Sequence, residues 1–210
     1  MNVFIIAAIS ADGFIAQDKE QSSLNWTTKA DTKFFVERTK KAAVVVMGRK
    51  TYQTIKPKYR PFKNRLNIVY SRDDSWLRDD EKLFLEQTVK EGWLAQPTQF
   101  YVTQDNPKNL ISSLKKKNIK EVAICGGVSI YTKFMQAGVV NKIYLTVEPV
   151  LFGSGLKLFN QSLSPAALLG SATTATATAK NKDFQALQLV AVKKLGDEGA
   201  VLLEYDVKGA

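Results

Sequence analysis

Asp31 stands five residues after Trp26 and just ahead of Phe34 and Phe35. An acid among aromatic side chains can act as a carboxylate in an apolar cleft, gripping an amino-pyrimidine ring through two parallel charge-assisted hydrogen bonds. The same acid in the first turn of a helix is also simply favourable with the helix dipole. The residues alone leave both readings standing.

A second group is Val44-Val45-Val46-Met47-Gly48-Arg49-Lys50-Thr51-Tyr52, where an apolar run ends at a glycine and a helix opens on two cations and a hydroxyl. Free backbone N–H groups at such a start, with Arg49 and Lys50 beside them, make an anion site. Ser71 and Arg72 follow another apolar run, Asn67-Ile68-Val69-Tyr70. Arg49, Thr51, Ser71 and Arg72 together form the fork of cations and hydroxyls that the 2′-phosphate of a dinucleotide needs, which points to NADPH over NADH. The third group is Ile124-Cys125-Gly126-Gly127-Val128-Ser129-Ile130-Tyr131. Paired glycines that open a helix let backbone come close to a pyrophosphate or a nicotinamide, although a tight turn explains them as well. They do not form the G-x-G-x-x-G fingerprint, so a standard Rossmann assignment fails.

These groups need elements to hold them. Residues 2–9, 44–47, 66–70, 100–102, 122–125 and 142–147 read as strands, with a closing pair at 184–194 and 200–207. Short apolar runs without alternation suit strands covered on both faces of a largely parallel sheet. Helices are predicted over 28–41, capped by Thr27 or Thr28, over 107–117, opened by Pro107, and over 128–136, stopped by Gly138. The alternation predicts an α/β fold, a mostly parallel central sheet flanked by helices with a C-terminal antiparallel pair. No linker divides residues 1–210, so a single domain is expected. Residues 171–179 are the one low-complexity piece, an edge strand or a loop.

The chain has no histidine and one cysteine, Cys125. That removes Ser-His-Asp triads, Cys–His pairs, imidazole metal sites and thiolate zinc, and no metal is expected. Hydride transfer survives, because there the cofactor carries the chemistry. A lone cysteine points to a reducing compartment, here the cytoplasm. No stretch approaches the ~20 apolar residues of a membrane span, so no membrane partner is expected. The net charge of +10 attracts polyanions. Its cations are nevertheless mixed with acids, as in Lys115-Lys116-Lys117 before Glu121, which suits solvated helix faces better than a nucleic-acid surface.

In this order and spacing, the three groups resemble the dihydrofolate reductase superfamily. The match runs from Ala7-Ala8-Ile9 through Trp26, Asp31, Phe35, Met47-Gly48-Arg49-Lys50-Thr51, Arg65-Leu66-Asn67-Ile68-Val69 and Gly126-Gly127 to Tyr131 and Tyr144-Leu145-Thr146. The resemblance implies a dihydrofolate-reductase-like fold, NADPH as cofactor and a small pterin or pyrimidine as substrate. It implies that Asp31 binds the pterin and assists protonation at N5, that Thr146 supports it through a hydrogen bond, and that Trp26 belongs to the same catalytic set. Ile6, Ala8 and Phe35 would touch the substrate, and Arg65 would pair with the folate α-carboxylate. The backbone at Ala8 and Ile15 would hold the nicotinamide carboxamide. Gly48, Arg49, Lys50, Thr51, Ser71, Arg72 and the stretch Cys125, Gly126, Gly127, Val128, Ser129, Ile130 and Tyr131 would carry the cofactor, with Gly126-Gly127 as the family's cis pair. Residues 10–25 would be the mobile loop over the nicotinamide, longer here than is usual.

The chain also departs from that pattern. Asn25 stands where the family has proline, and residues 56–64 replace its Pro-Leu-Pro-Gly run. Asp12-Gly13-Phe14-Ile15-Ala16 and residues 148–159 look like the riboflavin-pathway pyrimidine reductases, which share the fold and NADPH but reduce a ribosylamino-pyrimidine. Reduction of 7,8-dihydrofolate is the leading expectation, since Arg65 and the Trp26–Asp31–Phe35 set favour folate. The sister reaction on a phosphoribosylamino-pyrimidine, with Lys56, Lys58 and Arg60 toward its phosphate, is the alternative. A basic nucleic-acid-binding module ranks last, because no aromatic and basic residues interleave in a stripe. Monomer and homodimer are both compatible with the sequence.

Overall fold

A computed structural model describes residues 1–94, 96–160 and 185–209, so the segment 171–179 lies outside the described residues. The strands of the main sheet are β1 (Asn2–Ser10), β3 (Val44–Gly48), β4 (Leu66–Tyr70), β5 (Gln99–Thr103), β6 (Glu121–Ile124), β7 (Lys142–Glu148), β9 (Leu187–Leu195) and β10 (Ala200–Val207). They lie in the order β5-β4-β3-β6-β1-β7-β10-β9. From β5 to β7 every neighbouring pair is parallel. The last two strands pair antiparallel, β10 with β7 and β9 with β10. This is the expected architecture.

Successive side chains of a strand point to opposite faces, and the core divides accordingly. Val3, Ile5, Val44, Val46, Ile68, Val122 and Ile124 face one layer, closed by Leu110 and Leu114 of α4 (Pro107–Lys116) and Ile130 and Phe134 of α5 (Val128–Gln136). Phe4, Ile6, Val45, Met47, Val69 and Ala123 face the other, against α1 (Lys29–Ala42), which adds Phe34 and Phe35, and α2 (Arg49–Thr54), which adds Tyr52. Helices on both faces leave β3, β4 and β6 almost wholly buried, which is why these strands read as unbroken apolar runs. Arg38 fastens α1 to the sheet. Its guanidinium forks onto Glu121 through two 2.9 Å bonds and lies 3.9 Å over the Phe4 ring.

A helix and a small second sheet go beyond the sequence expectations. Helix α3 (Asp79–Glu91) opens on Asp79, Asp80 and Glu81 and ends at Gly92, a start and stop signal that was available. A separate antiparallel pair joins β2 (Phe14–Ala16) to β8 (Leu156–Lys157). Strands of three and two residues carry no readable period. A Cβ on Gly155 would collide with the Ala16 carbonyl oxygen, so glycine allows the two segments to meet.

The chain steps outward from β3 through β4 to β5, then returns to set β6 between β3 and β1. In open α/β sheets a ligand crevice forms outside the carboxyl ends of the strands where such a reversal occurs. The three sequence groups all end there.

Candidate active site

A cavity of about 1550 Å³ opens at the carboxyl ends of β1, β3, β4 and β6. Pockets for one drug-sized ligand run to roughly 1,000 Å³, so this one has room for two. Its two poles are built differently.

The first pole is laid out by α1. Thr28 caps the helix, accepting from the Asp31 backbone N–H at 3.2 Å. Asp31 is 9 % exposed, and its side chain is hydrogen-bonded to Thr146, a hydroxyl donating to a carboxylate. Burial raises the Asp31 pKa above the ordinary carboxylate range, and the Thr146 bond opposes that shift without cancelling it. Phe35 follows on the same helix face and meets Phe62 edge-on at 5.8 Å. One turn further, Thr39 donates to the Phe35 carbonyl and accepts from Arg65 Nη1, both at 2.6 Å. Arg65 is 5 % exposed, forms no ion pair among the described residues, and lines the cavity, so burial lowers its pKa. Asn67 steadies this wall from inside β4, bonding both the N–H and the carbonyl of Phe62.

The second pole lies where two strand–helix turns touch. The Gly48 N–H donates to the Gly126 carbonyl at 2.8 Å, joining the start of α2 to the start of α5. The Gly126–Gly127 peptide is cis. A Cβ on Gly127 would lie 2.7 Å from Thr51 Oγ1, closer than real Cβ contacts allow, so only glycine leaves this junction room. Arg49, Lys50, Ser71 and Arg72 line the rim. Arg49 is not free, because it pairs with Asp73 at 3.7 Å. Asp73 is itself held below the usual range by the Ser75 hydroxyl, with Arg49 and Arg72 adding to the effect.

Between the poles, Ile6, Ala8 and Ile15 line the cavity, as do Cys125, Val128, Ser129, Ile130 and Tyr131. Tyr131 donates its hydroxyl to the Ile6 carbonyl at 2.9 Å. The Cys125 thiol is pushed up to about 12 by burial and is no nucleophile at neutral pH. Two predicted site residues are not on the wall. Thr146 acts from behind, through Asp31. Trp26 packs edge-on against Phe152 at 5.0 Å, and its buried indole nitrogen has no hydrogen-bond partner among the described residues. Arg60, grouped in sequence with Lys56 and Lys58, turns away to Glu81 at 3.4 Å and the Tyr52 carbonyl. Lys56 and Lys58 remain at the cavity. Sequence reasoning passed over Thr39 and Asn67. A buried polar residue inside the apolar run of β4 was a usable signal for Asn67, whereas nothing singled out Thr39 on a polar helix.

Residues 2–198 match the RibD C-terminal domain family. The chain belongs to this family. Over 148 residues the RibD-type chain is 28 % identical to a dihydrofolate reductase of Aedes albopictus, spanning 68 % of this chain and 70 % of the relative. A pyrimidine reductase-like protein of Corynebacterium diphtheriae NCTC superposes with a TM-score of 0.63 at 17 % identity, covering 100 % of this chain and 92 % of the other. Dihydrofolate reductase of Enterococcus faecalis, solved with NADP(H) and RAB-propyl, superposes with a TM-score of 0.58 at 17 % identity, covering 99 % and 96 %. At such identities the two superpositions speak for the fold. The expected dihydrofolate-reductase-like architecture stands, and this RibD-family chain is one of the reductases built on it. Among the described residues no helix is long and apolar enough to cross a membrane.

Proposed function

We propose that this RibD-family protein reduces 7,8-dihydrofolate to tetrahydrofolate with NADPH. The observation that carries the reading is the spacing along α1. Asp31, Phe35 and the Thr39 that holds Arg65 succeed one another at intervals of four residues. At 1.5 Å per residue, the acid and the arginine anchor are about 12 Å apart along the helix. A buried guanidinium without a carboxylate of its own is a receptor for one. The wall therefore suits an amino-heterocycle at Asp31, an aryl spacer at Phe35 and Phe62, and a carboxylate at Arg65. Dihydrofolate has these parts in this order.

The residues at the second pole fit the cofactor. The start of α5 faces the cavity with no side chain capping its first turn, and the Gly126-Gly127 junction leaves space that a side chain would fill. Arg49, Lys50, Thr51, Ser71 and Arg72 would hold the phosphates. NADPH bound there would supply the hydride. The chain's own share is placement and proton delivery. In its ionised form Asp31 would grip the 2-amino group and ring N–H of the pterin, and because burial raises its pKa it takes up a proton again at higher pH than an exposed aspartate does. That makes it the chain's proton reserve for N5, with Thr146 fixing the carboxyl.

A second reading has its own support. The family match is to RibD, and Lys56 and Lys58 at the cavity suit the phosphate of a phosphoribosylamino-pyrimidine. Purified protein with NADPH and each substrate separately distinguishes the two. Loss of NADPH absorbance with dihydrofolate is expected. Loss with the phosphoribosylamino-pyrimidine alone would replace the folate reading, and loss with neither would remove both.

A further inference from the structure

The groups that the sequence offers for a 2′-phosphate are partly committed elsewhere. Arg49 pairs with Asp73, and the Ser71 hydroxyl accepts from the Trp76 indole N–H at 3.0 Å. The cavity continues past them to the ends of β4 and β5. Tyr70, the last residue of β4, lines it beside Ser71 and Arg72. Thr103 and Gln104 line it from the end of β5. The Ser71 N–H donates to the Thr103 carbonyl at 3.1 Å and the Gln104 side-chain amide to the Arg72 carbonyl at 3.0 Å, which fixes the two strand ends together. Lys133 closes this wall from α5, four residues after Ser129 on the same helix face, and both line the cavity. Its Nζ lies 4.8 Å from the centre of the Tyr70 ring. None of the ion pairs among the described residues includes Lys133. Tyr70 is 8 % exposed, and its buried hydroxyl has no hydrogen-bond partner among the described residues.

We infer that Lys133, seated on the Tyr70 ring, is a specificity-determining residue that reads the 2′-phosphate of the cofactor and so selects NADPH over NADH. This rests on the cofactor placement proposed above. The nicotinamide must face the Asp31 pole, which leaves the adenosine end to run toward the ends of β4 and β5. Lys133 comes six residues after Gly127, about 9 Å along the helix at 1.5 Å per residue. A cofactor whose pyrophosphate meets the Gly126-Gly127 junction therefore extends its adenosine end toward this lysine. A half-buried ammonium without a carboxylate partner is a receptor for an anion, and in a concave wall its charge is screened less than on an open surface. The ring beneath holds the ammonium in place by cation–π attraction. Asp105 carries a charge that is felt at the Tyr70 hydroxyl, but it forms no ion pair with Lys133 and does not neutralise it by contact. A dinucleotide lacking the phosphate leaves Lys133 unpaired in the wall, and that difference is the basis of the choice.

The test uses two fragments that differ only in the phosphate concerned, adenosine 2′,5′-bisphosphate and adenosine 5′-monophosphate, titrated into the full chain by calorimetry. Wild type should bind the bisphosphate more tightly. In Lys133→Gln the Kd for the bisphosphate should rise about 10-fold while that for the monophosphate stays within ~2-fold. Lys133→Arg, which keeps the charge, should restore most of the preference. The ratio of NADPH to NADH affinity should narrow in Lys133→Gln by a similar factor. Equal weakening of both fragments would mean that Lys133 serves only packing, and it would overturn the inference. A preference for the bisphosphate that survives Lys133→Gln would overturn it too, while leaving the cofactor placement intact. A wild type that binds neither fragment removes the placement itself and the inference with it.

Discussion

The two poles of the cavity spend the same kinds of residue in opposite ways. At the α1 pole, Asp31 and Arg65 are single, buried and each held by one threonine, Thr146 and Thr39. At the α2–α5 pole, recognition is spread over Arg49, Lys50, Ser71, Arg72 and backbone, and Arg49 sits 37 % exposed against Asp73, 50 % exposed. A buried lone charge has no substitute and is little screened, whereas exposed charges are redundant and salt-sensitive. Single substitutions should therefore cost far more at the first pole than at the second.

The largest effect belongs to Asp31→Asn. An amide cannot deliver the proton, so turnover should fall by about 10²-fold or more while NADPH affinity stays within a few-fold. The same variant should melt higher than wild type at neutral pH. The sign follows from the raised pKa, since the folded chain holds the Asp31 proton more tightly than the unfolded chain does. That contribution to stability is full below the unfolded pKa and is lost as pH rises through the folded one. Asparagine removes the cost of the buried anion, so the gap in melting temperature should close as pH falls into the ordinary carboxylate range. Unchanged turnover would take Asp31 out of the mechanism and erase the contrast between the poles.

Next is Arg65→Leu. Leucine fills the buried site without offering a charge, so the KM for dihydrofolate should rise by roughly 10- to 100-fold with a smaller change in kcat. The KM for NADPH should not move. A substrate ending in phosphate would be affected less, since Lys56 and Lys58 remain, and this sharpens the choice between the two reactions.

What the sequence revealed divides along the same line. The strands and the helices that bracket them were legible because Val44-Val45-Val46-Met47 and its counterparts are buried on both faces, which leaves an apolar run with no alternative place in the fold. The ends of those runs located Arg49, Ser71 and Gly126-Gly127 as well. Asp31 was visible as a residue but not as a role, since a first-turn acid serves a helix dipole equally well. The role proposed for it depends on Thr146, on a strand more than a hundred residues away in the chain. Trp26 shows the reverse error. Proximity in sequence placed it with Asp31, but its ring is directed to Phe152, in a segment whose backbone N–H groups donate to the Asp12 carboxylate. Arg60 fails for a similar reason, because the buried Glu81 that claims it lies on a helix that was not anticipated. Contacts made across the sheet order carry no local period, and these are the ones that assign roles.

The smallest effect should be that of Arg49→Ala. Removing Arg49 deletes one of several cations, frees Asp73 from its partner and leaves Lys50 and Arg72 in place. An exposed pair contributes about 1 kcal/mol or less, so the KM for NADPH should rise only ~3- to 5-fold at low salt. Because a screened charge is lost, the difference from wild type should shrink as salt approaches 0.5 M, where the Debye length is only about 4 Å. NADPH titrations followed by quenching of protein fluorescence at two salt concentrations would measure this without any substrate. A loss as large as that of Asp31→Asn, or one insensitive to salt, would mean that Arg49 makes a desolvated contact with the cofactor, and the second pole would then have to be regarded as built like the first.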